Sequence, residues 1–238
     1  ALQPKVLSMR NRKMFEYAGG SGGFIDIYGY PLCRGRVFNT IEKDKGQYND
    51  EIEIFWASGC AIFLNRERCK EAGYLDETFG SYGEELDLCW RLNLLNYEIK
   101  IVPRSKVYHL GSAIWGKKIY KMKKEYLLHR NHSIILFKNY PIKKWIKIIP
   151  SKMFLELVTF FAFFFLNPIK SAAVLKANAW IIGHMPLLVR KNREISKLRK
   201  ASEVDKKIVH TTVALRYFLE GEKHFTDYIK YIPSLNRN

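Results

Sequence analysis

The 238-residue sequence predicts an α/β fold. Three stretches carry that expectation: a β-rich run at Ile52–Leu64, a helical-period segment at Glu84–Leu95, and an extended piece at Glu98–Val102 closed by Pro103. Strand, helix and strand in alternation are the order from which an α/β layer is built.

Each element has its local reason. The run IEIFWASGCAIFL is β-branched and aromatic, is interrupted at Ser58-Gly59, and ends at Asn65, a good helix N-cap. A short helix is expected over Arg66–Ala72, stopping at Gly73 as the residue past the end. In EELDLCWRLNLL, helical spacing puts Leu88, Leu92 and Leu95 on one side and Glu84, Asp87 and Arg91 on another. Asn96 can take the left-handed conformation that ends this helix. Lys5–Met9 and Lys106–His109 read as further extended pieces, and residues 41–51 as polar turn sequence. Residues 15–36 are dense in glycine and aromatics, a pattern read as an ordered loop bordering a ligand.

Charge divides the chain. Hydrophobic residues make up 47% and charged ones 26%, a composition that excludes a multi-span membrane protein. The net charge is +17, yet residues 1–111 hold 15 basic and 15 acidic residues, while residues 112–238 hold 25 and 8. A domain boundary is therefore expected near 111–115, with residues 1–111 and 112–238 as separate regions. Cys33, Cys60, Cys69 and Cys89 lack paired metal-ligand spacing; Cys60 and Cys89 read as small core residues, and a reducing compartment is the simpler expectation.

Beyond Gly111 the texture changes. Trp115–Lys152 has 11 basic residues against Glu125 alone, and reads as helical up to Pro141. Met153–Leu166 follows, 14 residues with Glu156 the only charge. A bilayer crossing needs about 20 apolar residues, so a re-entrant or interfacial helix is expected there. Ala172–Val189 is semi-apolar, Arg190–Lys207 is a basic run, and Thr211–Ile232 reads as amphipathic. Residues 112–238 are thus expected to form a basic, mainly helical, membrane-associated tail.

Three blocks occur in an order that is specific: FWASGCAIFL, then ETFGSYGEELDLCWRL, then IVPRSKVYHLG. Together they resemble the second half of the catalytic domain of family 2 inverting glycosyltransferases, in the rhamnosyltransferase-like subgroup of bacterial surface-polysaccharide synthesis. The likeness covers residues 1–111 and continues more weakly through YKMKKEYLLHRNHSIILFKNYP and ALRYFLEGEKHF. It implies the second half of a GT-A fold.

The resemblance also assigns roles. Inverting transfer is one in-line displacement by an acceptor hydroxyl, a poor nucleophile until a carboxylate takes its proton. The family sets that base second in an acidic pair at a helix start, which here is Glu84-Glu85, so Glu85 takes the base position. The family usually has Asp there, one methylene shorter. Helix-start amides stabilise carboxylate charge. An acidic first turn is also an ordinary helix-start preference, and the flanking blocks are what raise the pair above it. His109 stands where relatives bind the divalent ion, Mg²⁺ or Mn²⁺, that bridges the nucleotide diphosphate. Trp56, Ser58 and Gly59 would wall the place where donor sugar and acceptor meet, although a buried strand tryptophan is an equally ordinary reading of Trp56. Asp87 and Arg91, spaced i,i+4, are supporting residues or only a helix-surface ion pair.

One departure matters. The family holds its nucleotide on an N-terminal half ending in Asp-x-Asp or a related acidic motif, and this chain contains no Asp-x-Asp. The chain is accordingly expected to be the C-terminal portion of such an enzyme, inactive and a weak metal binder by itself. The expected function is transfer of a sugar from a nucleotide-diphospho-sugar to a lipid-linked glycan acceptor, at an anionic membrane surface on the cytoplasmic face of a bacterial membrane. Two alternatives come from other classes: a non-catalytic membrane-bound scaffold, and a nucleic-acid-binding protein using the same basic surface. The second lacks any DNA- or RNA-binding motif, and no nucleic-acid partner is expected.

Overall fold

The computed structural model describes residues 1–111, 121–200 and 203–236. It is a mixed α/β structure with small sheets. The chain divides into two units: residues 1–75, 88–111 and 200–238 form the first, and residues 76–87 and 112–199 the second. The expected linear cut at 111 is therefore crossed twice. Residues 76–87 belong with the helical unit, and residues 200–238 return to the first unit instead of extending the helical tail. Trp115 and its neighbours up to residue 120 lie outside the described residues.

The first unit holds two small sheets. Strand β1 (Leu2–Ser8) pairs in parallel with β6 (Lys100–His109). The two extended pieces expected around Pro103 are one strand, and the break falls at a register shift. Pro4 faces Val102 but Lys5 faces Lys106, so Pro103, Arg104 and Ser105 bulge out. The second sheet runs β5-β4-β3-β2-β7, from Thr40–Ile41, Arg36–Val37, Pro31–Cys33, Gly23–Asp26 and Ile208–Val209. Only the β2–β7 pair is parallel. The glycine-rich segment 15–36 is thus ordered, as expected, but it builds strands: Phe15 and Phe24 are fully buried.

Ile52–Leu64 is not the continuous strand its composition predicts. It makes isolated bridges with three partners in turn: Glu53 with Lys100, Trp56 with Gly23, and Phe63 with Leu2. Backbone bonds follow the same switch, Ile54 N–H to the Ile99 carbonyl and Phe55 N–H to the Gly23 carbonyl. Changing partner every few residues satisfies the backbone without building a ladder. Gly23 is obligatory in this arrangement, since a Cβ there would lie 2.2 Å from the Trp56 indole. Helix α1 (Arg66–Glu71) starts at Asn65, whose side chain accepts from the Arg68 N–H, and Gly73 follows it with φ +83°.

Helix α2 (Glu84–Leu94) ends as expected, with Asn96 left-handed at φ 64°. Its expected polar side is absent. Every residue from Leu86 to Leu95 is buried, Asp87 and Arg91 included. In the second unit, α3 (Lys121–Asn139) packs against α5 (Pro168–Gly183) and α6 (Met185–Ser196), and α4 (Ile142–Phe163) packs against α5. No single described helix is long and apolar enough to cross a membrane; α5 and α6 pass that test only as a pair bent by 70°. The segment Thr211–Ile232, expected to be amphipathic, is a helical turn, a π-turn at Arg216–Glu220 and a 3₁₀ stretch at Phe225–Tyr231, all in the first unit. Gly221, left-handed at φ 76°, separates the last two.

Candidate functional site

The eight residues singled out by sequence fall on both units. Glu84, Glu85 and Asp87 belong to the second; Trp56, Ser58, Gly59, Arg91 and His109 belong to the first.

The acidic pair opens α2, with Glu84, Glu85 and Asp87 in its first turn. The turn that delivers it, Asp76–Gly83, is irregular and held in place by side chains of α3 and α6. Tyr82 is left-handed at φ 70°, a conformation that costs an ordinary residue roughly 1–2 kcal/mol. Gly83 follows at φ 87°, and a Cβ on it would press within 3.0 Å of Ile135 Cδ1. The Asn131 amide, itself buried, donates to the carbonyls of Phe79, Ser81 and Tyr82 at 3.0, 2.7 and 2.7 Å. Arg130 donates to the carbonyls of Thr78 and Phe79 at 2.9 and 2.8 Å, and its Nε orients Asn131 through Oδ1 at 2.9 Å. Arg130 is in turn positioned between the rings of Tyr126 and Trp180.

A second layer of charge anchors both ends of this turn. Lys138 Nζ donates to Asp76 Oδ2 at 2.7 Å and to Asp87 Oδ2 at 2.8 Å, with the lysine side chain 4% exposed. Lys191 reaches both oxygens of Asp76 at 3.0 and 2.8 Å, and Asn139 donates to Asp87 Oδ1 at 2.9 Å. Burial alone would push the Asp76 carboxyl up. The Lys138 and Lys191 ammonium groups and the Thr78 N–H outweigh it and hold the carboxyl far below the usual range. Glu84 Oε2 differs from its neighbours. It is buried and has no hydrogen-bond partner among the described residues. A buried acceptor left unmade costs about 1–3 kcal/mol, so it marks a place where a donor is wanted.

In the first unit the remaining residues are mostly structural. Trp56 is buried, its indole N–H donates to the Phe24 carbonyl at 3.0 Å, and Gly23 lies against its ring. The flat face expected to receive a sugar is thus covered by backbone. Ser58 is also buried, its N–H donating to Gln3 Oε1 at 2.7 Å, while Gly59 is exposed. Arg91 is buried and donates to the Ala72 carbonyl, so it does not lie on the helix surface. Cys33, Cys69 and Cys89 are buried; Cys60, expected in the core, is only half-buried.

His109 ends β6, with Nδ1 buried, without a hydrogen-bond partner among the described residues, and 3.9 Å from Glu16 Oε1. Gly111 makes room for Glu16, since a Cβ on Gly111 would lie 2.7 Å from Glu16 Oε1. One imidazole and one carboxylate are too few donors for a divalent ion, which takes four to six. Among the described residues no group of three His, Cys, Asp or Glu gathers at any place. These residues do not make a metal site by themselves.

Sequence reasoning missed Asn131, Arg130, Lys138, Asn139, Asp76 and Glu16. A signal for part of this set was present: Asn131, Ile135 and Lys138 stand at i, i+4 and i+7, one face of a helix, and two of the three are polar. No protein-family model matches the chain, and no curated protein matches it.

Proposed function

We propose that this chain carries the acceptor-activating half of an inverting glycosyltransferase of GT-A type, acting between a nucleotide-diphospho-sugar and a lipid-linked glycan. The observation that carries this reading is the buried Glu84 Oε2, without a hydrogen-bond partner among the described residues, standing beside Glu85 on a turn held by Arg130, Asn131, Lys138 and Lys191. A carboxylate pair kept in one position at a helix start is suited to meeting a hydroxyl. The sequence resemblance of the three blocks points to the same chemistry.

In this reading Glu84 accepts a hydrogen bond from an acceptor sugar hydroxyl and orients it. Glu85 takes the proton of the attacking hydroxyl as that oxygen bonds to the anomeric carbon. The bond from the anomeric carbon to the diphosphate oxygen breaks on the opposite face, its electron pair leaving with the diphosphate, and configuration inverts. Mg²⁺ or Mn²⁺, if bound by the complete enzyme, would supply positive charge for the diphosphate. The donor set beside His109 is short of that task, and no step here depends on it.

The test is sugar transfer to a lipid-linked acceptor by the full-length protein, read beside donor binding by calorimetry. Glu85→Gln is expected to lose about 10²–10⁴ in kcat with donor affinity nearly unchanged. Glu84→Gln is expected to be milder and to raise the acceptor KM. Near-wild-type turnover in Glu85→Gln would remove Glu85 as the base.

A further inference from the structure

Helix α4 of the α4–α5 hairpin is built inside out. A helix at a protein surface ordinarily turns an apolar stripe inward and a polar face to water. On α4 the buried residues are polar, whereas α5 buries Ala173, Val174, Ala177 and Ile181 in the ordinary way. Lys152 and Glu156, one turn apart on α4, are both buried and joined to each other, and His129 of α3 contacts Glu156 Oε2 through Nδ1 at 2.7 Å. Ser171 of α5 ties the two arms together by donating to the Phe160 carbonyl at 3.0 Å.

The exterior is apolar. Along α4, Phe154, Leu157, Val158 and Phe161 are exposed at helical spacing, and the connection adds Phe164, Phe165 and Leu166, the last two 89% and 82% exposed. On α5 the outward stripe continues through Ile169, Ala172 and Leu175. A contiguous apolar surface of this kind marks an interaction site.

Charge selects the partner. Between Ile142 and Gly183 there are six lysines and one acidic residue; Lys152 and Glu156 are buried against each other, which leaves five lysines and no carboxylate. Lys143, Lys147 and Lys176 are exposed. A second copy of this chain would bring the same positive surface against this one, whereas an anionic bilayer complements it. Length fits as well. Phe154 to Phe165 spans about 16 Å at the helical rise, close to the roughly 15 Å of one leaflet's hydrocarbon. Lys176 lies ten residues beyond Leu166, about 15 Å along the returning arm, at headgroup depth when the tip reaches mid-bilayer.

We infer that α4–α5 is a re-entrant wedge that enters a single leaflet of an anionic membrane tip-first, with Phe164, Phe165 and Leu166 deepest and Lys176 at the headgroups. The buried Lys152–Glu156 pair of α4, with His129 of α3 against it, keeps its polar groups satisfied inside the helical unit, as apolar surroundings demand. This inference stands apart from the proposed chemistry and holds whether or not that chemistry does.

The experiment is flotation of the full chain with phosphatidylcholine vesicles containing 25–30% phosphatidylglycerol, at low and high salt. The triple variant F164S/F165S/L166S is expected to lose about 10-fold or more in partitioning, and the wild type to keep measurable binding in high salt, because the apolar term is not screened. The control F218S/L219S removes exposed apolar side chains of the first unit and is expected to leave partitioning unchanged. All of these residues are exposed, so circular dichroism should be unaltered. Unchanged vesicle binding in the triple variant overturns the inference, as does an equal loss in the control. A triple variant that changes only the oligomeric state assigns the face to a second copy and equally overturns it.

Discussion

Two lysines of the second unit, Lys138 and Lys152, are each buried against carboxylates, yet they serve opposite surroundings. Lys138 lies between Asp76 and Asp87 beneath a turn of polar and acidic residues. Lys152 lies against Glu156 beneath an apolar exterior. A buried ion pair is therefore the same local device in both places, and its presence says little about function. What differs is the layer outside it. The first pair lies one helical turn from Glu84, whose Oε2 has no donor among the described residues, and the second lies beneath exposed phenylalanines.

The largest effect should come from breaking the first pair. Lys138→Met leaves Asp76 and Asp87 without their shared cation, and the loss of one partner of a buried pair costs about 3–5 kcal/mol. Urea unfolding should show it, and a loss under 1 kcal/mol would mean that Lys191 and Asn139 hold the two carboxylates unaided. Asn131→Ala should come next, at about 1–3 kcal/mol, because the carbonyls of Phe79, Ser81 and Tyr82 lose their buried donor. Amide exchange in residues 76–83 should rise with it; unchanged protection would show that Arg130 suffices to hold the turn.

Acid should sharpen the comparison at the second pair. Burial, and then the ammonium charges of Lys152 and Lys170, hold His129 down to about 4 from its ordinary 6.5, against a small opposing effect of Glu125. The folded value lies below the unfolded one, so the unfolded chain binds the extra proton between them. The stability contributed is full above about pH 6.5 and is lost as pH falls toward 4, with about 1–2 kcal/mol gone by pH 5. Thermal unfolding of wild type and His129→Gln at pH 7 and pH 5 measures it; equal acid losses in the two proteins would show that His129 does not titrate in this window. The smallest effect should be K152M/E156L. Replacing both members of a buried pair by apolar residues is often neutral or stabilising, so a change within about 1 kcal/mol is expected. A loss of several kcal/mol would make this pair as structural as that of Lys138.

Much of the candidate site was legible where its causes are local. The Asn65 cap, the stop at Gly73, the start of α2 at Glu84 and the left-handed Asn96 all follow from residues within one helical turn. The role of Trp56 was not legible, because a β-rich stretch gives no sign that a glycine 33 residues earlier will lie against its ring. The basic count after residue 111 misled in a definite way. Lys138, Lys152 and Lys191 contribute to the net charge but face carboxylates inside the protein.

By itself the sequence determined the punctuation of the chain: helix ends, turns, the acidic helix start, and a 14-residue apolar run too short to cross a bilayer. Those features rest on hydrogen bonds and lengths that span a few residues. Only the tertiary structure decided that Ile52–Leu64 would switch among three partners and that residues 200–238 would return to the first unit. It also decided that Asn131 would hold the turn before Glu84, and that the polar side of α4 would face inward. Each of those outcomes joins residues tens of positions apart, where burial and the need to pair every enclosed polar group override what neighbours along the chain prefer.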